Sequence, residues 1–175
     1  MLVRFLIPTV AVLLFLLESQ FAMFSPIEIK GATIILVPRF LILYLIFLAI
    51  YYNRKKAMVY GLIFGLLFDV FYINIIGLYT FLYPAICFLA AWSVKRIHPH
   101  LAVSIFIAIA LMSLLEFAIY EFFYVIQFTS MTLQPFLYNR LVPTILANSL
   151  FLMMLGWAFK YLISARVLQR AQEHS

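Results

Sequence analysis

Three of the chain's six carboxylates, Glu18, Asp69 and Glu116, stand inside runs that otherwise read as lipid-facing helix. A carboxylate at the centre of a membrane helix costs roughly 3 kcal/mol to insert, so such a residue is a functional candidate, and Asp69 could be a proton or cation site. A path across the membrane would need further acids at other depths. Glu116 and Glu121 could suggest a general acid and base, as in glycosidases. Residues five apart on a helix diverge in direction, however, and no nucleophile or metal ligand accompanies them. Tyr120, four residues on, does share a face with Glu116. His98 and His100 flank Pro99 in KRIHPH, but no carboxylate or thiolate lies near enough in sequence to complete a metal site, so they read as solvated loop residues. Cys87 is the single cysteine and excludes an internal disulfide and a thiolate cluster. No Walker loop, HExxH, GxSxG or Rossmann fingerprint is present. The residues therefore support no catalytic, metal or cofactor site.

The elements that hold these acids follow from composition. Of 175 residues, 67% are hydrophobic and only 10% charged, which excludes a soluble globular domain. The apolar runs are too long for the alternating strands of a membrane barrel, so an all-α polytopic membrane protein is expected. Six spans are predicted, at about 3–24, 34–52, 57–73, 75–94, 101–127 and 141–163, with a short tail at 164–175. They form one transmembrane domain and a single bundle. Arg4 ahead of an apolar stretch resembles a signal peptide, but no small-x-small cleavage site follows, and the segment reads as a retained first helix. YINIIG between spans three and four is short enough to force a tight antiparallel pair.

Charge gives the orientation. Arg4, Arg54, Lys55, Lys56, Lys95, Arg96, Lys160, Arg166 and Arg170 fall on one side, nine of the twelve basic residues, against Lys30, Arg39 and Arg140 on the other. The excess places both termini in the cytoplasm. The same basic groups, scattered rather than gathered into a stripe, argue against nucleic acid. Arg54 to Lys56 and Lys95-Arg96 would meet anionic head groups or a cytoplasmic partner. Tyr51, Tyr52, Trp92 and Tyr138 fit the interfaces. Pro8, Pro38, Pro84 and Pro143 mark kinks or helix starts.

Depth can be counted at 1.5 Å per residue. Asp69 lies about 20 Å from the cytoplasmic interface, Glu18 about 21 Å and Glu116 about 24 Å, all in the outer half of a hydrocarbon slab about 30 Å thick. Arg39 and Arg140 begin spans two and six at that level. A structural charge layer of Arg39, Asp69, Glu116 and Arg140 is expected, with Asp69 paired to Arg39 or Arg140 or reaching interfacial water. Gly61 and Gly65 share a face with Asp69, so span three should pack closely at the bundle centre, although the same Gly-x-x-x-Gly face could serve a homo-oligomer. Flat apolar faces and the external segment 128–140 would receive partner helices.

The stretch GLLFDVFYINIIGLY, with Gly65, Asp69, Gly77, Leu78 and Tyr79 in place, is similar to the signature of the rod shape-determining protein MreD family. Chain length, six spans, cytoplasmic termini and the Pro38-Arg39 start of span two fit as well. The resemblance implies a non-catalytic component of the bacterial elongation machinery. Its implied partners are the bitopic protein MreC, the actin-like MreB, the glycosyltransferase RodA and a class B penicillin-binding protein, with lateral peptidoglycan synthesis and rod shape as the outcome. The family also resembles the substrate-binding subunits of energy-coupling-factor vitamin transporters. Those subunits carry an Ala-x-x-x-Ala docking face, whereas here Phe15 follows Ala11.

Overall fold

The computed structural model describes residues 2–29, 32–95 and 100–173. Lys30, Arg96, His98 and Pro99 lie outside them. Apolar segments that must satisfy their own backbone in lipid become helices. They are α1 (Leu2–Ala22), α2 (Phe40–Tyr51), α3 (Arg54–Phe68), α4 (Leu78–Ser93), α5 (Leu101–Val125), the single turn α6 (Leu133–Pro135) and α7 (Val142–Glu173). Four helical stretches are long and apolar enough to cross a bilayer: Phe5–Ala22, Arg54–Ile73, Leu101–Val125 and Leu133–Gln169. With the shorter apolar α2 and α4 they make an all-α membrane protein.

The elements differ from the sequence reading in several places. A two-stranded hairpin, β1 (Ile27–Ile29) against β2 (Ala32–Ile34), follows α1, with Glu28 opposite Thr33. Span two begins as helix only at Phe40, because residues 35–39 form neither helix nor strand. Its twelve helical residues rise about 18 Å, less than the hydrocarbon thickness. Helix α7 continues through Glu173, so most of the expected tail is helical.

The helix at the centre is α2 and not the third span. Every residue from Leu41 to Ala49 is buried. Its sequence FLILYLIFLAIY has no charged side chain to exclude it from the middle, whereas α3 starts on Arg54-Lys55-Lys56 and keeps Val59, Leu62 and Ile63 exposed. The glycines of α3 serve instead its pairing with α4. A Cβ on Gly61 would stand 3.1 Å from Pro84 N, and one on Gly65 would stand 2.7 Å from the Tyr79 carbonyl carbon and 2.9 Å from Thr80 Cα. Two backbones approach there because no side chain separates them.

Candidate functional site: a buried polar layer at one end of the bundle

The polar layer is built where α1, the segment 35–39 before α2, α4, α5 and the approach to α7 meet. Arg39 is its hub. Its Nε donates to Glu116 Oε1 in a short ion pair, and Nη2 donates to Tyr79 Oη at 2.9 Å. Nη1 stands 3.8 Å from Glu18 Oε1. Arg140 reaches the other Glu116 oxygen, Nη2 to Oε2, at 3.3 Å. Glu116 thus bridges two guanidiniums, one of them almost wholly buried, as a carboxylate in hydrocarbon must do to offset its desolvation. Glu18 also acts on the backbone, where its Oε2 accepts from Leu41 N at 3.1 Å and so caps the first turn of α2.

Residues 35–39 leave backbone groups outside any helix or strand, and within an apolar bundle these must find partners in protein. Helix α7, the turn before it and Ser25 supply them. Thr144 Oγ1 accepts from Val37 N at 3.2 Å. Asn148 Oδ1 accepts from Arg39 N at 2.9 Å, while its Nδ2 donates to Val37 O at 2.9 Å. Ile35 N donates to Asn139 O at 2.8 Å, and Leu36 N to Ser25 Oγ at 2.9 Å. The segment is stitched along its length, so Arg39 is delivered at a fixed position.

Asp69 stands apart from the arginines. It begins the π-helical turn Asp69–Ile73 that ends α3, and both of its oxygens point at the start of α4. Oδ1 accepts from Tyr79 N at 2.8 Å. Oδ2 accepts from Gly77 N at 2.8 Å, Thr80 N at 3.0 Å and Thr80 Oγ1 at 2.6 Å. A carboxylate at a helix N-terminus satisfies orphan N–H groups and lies at the positive end of the helix dipole. The return from α3 to α4 uses left-handed backbone at Asn74 (φ 57°) and Gly77 (φ 118°). At Gly77 glycine is favoured because a side chain is strained there. The expected pairing of Asp69 with Arg39 or Arg140 is therefore replaced by a cap: the charge is met by three N–H groups and one hydroxyl. Glu121 likewise forms no ion pair with either arginine among the described residues.

The remaining expected residues lie at the opposite end. Arg54 stacks on Phe88 with 5.2 Å from Cζ to the ring centroid. Lys56 donates to Tyr52 Oη at 3.0 Å, its backbone N–H being taken by the Asn53 side chain that caps α3. Lys55 and Lys95 are exposed there. Cys87 is buried. His100 precedes α5 and caps nothing with its side chain. Among the described residues no group of three metal-ligating side chains is found.

Sequence reasoning missed Thr144, Asn148 and the capping role of Glu18. The signal for the first two was a polar pair at i, i+4 on an otherwise apolar helix, the spacing that puts both on one face.

The layer's bonds are of the kind that position helices. It closes positive and negative groups on each other, ties α1 to α2 and α5, and pins α7 to segment 35–39. The sequence model described as rod shape-determining protein MreD matches residues 3–165. The Rod shape-determining protein MreD of Bacillus subtilis (strain 168) is 39% identical over 145 residues, 83% of this chain and 84% of that protein. No solved structure matches the chain. From the family match over residues 3–165 and that identity, the chain belongs to the rod shape-determining protein MreD family.

Proposed function

We propose that this multi-pass protein is a non-catalytic scaffold of the bacterial cell-wall elongation machinery. It binds an MreC-like bitopic protein in the inner membrane and, through it, a complex with MreB, RodA and a class B penicillin-binding protein. Both termini lie in the cytoplasm, and the 128–140 segment outside contributes to the partner surface. The observation that carries this reading is how Glu116 and Asp69 are paired within the bundle. Glu116 is spent on Arg39 and Arg140, and Asp69 on the α4 terminus, so the acids are arranged to hold helices and not to pass an ion. The family's printed description, rod shape-determining, supports the same role.

The flanking aromatic groups fit a bundle with apolar faces to spare. Exposed Trp157, Met153 and Met154 on α7 and Phe106 on α5 offer apolar surface to a neighbouring helix or to lipid. The test is co-purification of the MreC-like partner with the wild type and with the Asp69→Asn protein. Loss of partner in step with loss of stability is expected, and an Asp69→Asn protein as stable and as well bound as wild type would remove the structural role.

The second reading is a solute-binding subunit of an energy-coupling-factor type transporter. It is favoured by a cavity of about 190 Å³ beside Glu18, Arg39 and Arg140. Against it, the α1 face is already filled, Ala11 being buried and Phe15 packing on Phe64, Phe68 and Tyr72. A water-soluble small molecule retained through purification and released by Glu18→Gln would favour it.

A further inference from the structure

Two hollows flank segment 35–39 at the outer end, and Val37 and Pro38 line both. The first, about 190 Å³, is lined by Glu18, Ser19, Arg39, Tyr79 and Arg140 together with apolar side chains such as Phe68 and Ile73. The second, about 320 Å³, lies between α1 and α7 and is apolar except for Asn148, with Phe21, Phe40, Phe151 and Met154 in its walls. The first falls below the roughly 300–1,000 Å³ of a complete small-molecule site, a size suited to a headgroup. A charged hollow sharing a wall with an apolar one has the form of an amphiphile.

The charges specify which amphiphile. Arg140 keeps donor capacity: its side chain is 27% exposed, its bond to Glu116 is long at 3.3 Å, and its Nε has no hydrogen-bond partner among the described residues. Arginine donors recognise phosphate oxygens well. Two carboxylates already balance two guanidiniums in the layer, so an added phosphate leaves net negative charge unless its own molecule carries a cation. Glu18, whose Oε1 has no hydrogen-bond partner, lines the same hollow.

We infer that the outer end binds a zwitterionic phospholipid of the phosphoethanolamine class, its phosphate on Arg140, its ammonium on the Glu18 side and one acyl chain in the hollow between α1 and α7. The shared chemistry, a phosphate linked to an ammonium, could also come from a free small molecule, and the experiment separates the two. Delipidated full-length protein in detergent is titrated with phosphatidylethanolamine, phosphatidylglycerol, diacylglycerol and soluble O-phosphoethanolamine while its thermal midpoint is followed. Phosphatidylethanolamine should raise the midpoint at concentrations at least tenfold below the other three. Ala22→Trp, at an exposed position lining the first hollow, and Ala147→Trp, at an exposed position lining the second, should each weaken that effect at least tenfold while leaving the lipid-free midpoint unchanged. Equal stabilisation by phosphatidylglycerol or diacylglycerol would overturn the headgroup assignment. Equal potency of O-phosphoethanolamine would overturn the lipid, and wild-type responses from both tryptophan variants would overturn the site.

Discussion

Replacing Asp69 by alanine should be among the most damaging polar substitutions in the protein, and the loss can be worked from its four bonds. The change leaves Tyr79 N–H, Gly77 N–H, Thr80 N–H and the Thr80 hydroxyl without their acceptor. An unpaired buried donor costs about 1–3 kcal/mol, and only the Tyr79 bond is fully buried, so the sum is roughly 3–5 kcal/mol. Asparagine should cost less. With its oxygen turned to Gly77 and Thr80, its amide faces only the Tyr79 N–H, and one lost bond is about 1–3 kcal/mol. The assay is unfolding in mixed micelles as the denaturing detergent fraction rises, read by helical circular dichroism. A double-mutant cycle then separates a cap from an ion pair. Asp69→Ala combined with Thr80→Val should show coupling of about 1 kcal/mol or more, and combined with Arg140→Gln less than about 0.5 kcal/mol. An alanine cost under about 1 kcal/mol, or stronger coupling to Arg140 than to Thr80, would refute the cap.

Glu116→Gln removes the bridge between two guanidiniums and should cost about 3–5 kcal/mol in the same assay, more than Glu18→Gln, whose nearest guanidinium nitrogen is 3.8 Å away. Gly65→Ala should exceed the roughly 1–3 kcal/mol usual for overpacking, because backbone of α4 must move, while Gly61→Ala, with 3.1 Å to Pro84 N, should fall within it; equal thermal midpoints for the two would contradict the helix contact. An impermeant maleimide should label Phe128→Cys in intact cells and Lys95→Cys only after permeabilisation, with buried Cys87 silent in both; the reverse pattern would invert the topology.

The sequence exposed the layer better than it exposed the partners within it. A helix rises evenly, so the depths of Glu18, Glu116 and the two arginines were countable, and the structure brings Arg39, Glu116 and Arg140 together. Asp69 counts to the same depth along the sequence but meets backbone donors eight to eleven residues onward. That outcome depends on where α4 begins after the left-handed turn at Gly77, and hydropathy does not encode such a boundary. The same blindness hid the irregular residues 35–39. They are apolar enough to read as helix, and the bonds that let the backbone stay open come from Ser25 and, more than a hundred residues later, from Asn139, Thr144 and Asn148. The central place of α2 is legible in its lack of any charged side chain, whereas the Gly-x-x-x-Gly face points instead to α3. A small-residue face reports close approach to one neighbour, here α4, and says little about the centre of a bundle.

These features make a bundle whose polar groups tie its helices together, and on the proposed reading its apolar flanks receive partners. The measurement closest to that claim is quantitative pull-down of the folded chain from membranes of its own host, run in parallel with thermal unfolding of each bait. The wild type should carry an MreC-like bitopic protein in near-equal amount, with Asp69→Asn and Glu116→Gln losing it only as far as they lose stability. A folded, stable wild type that enriches no bitopic partner, or a variant that loses the partner at an unchanged thermal midpoint, would contradict the account.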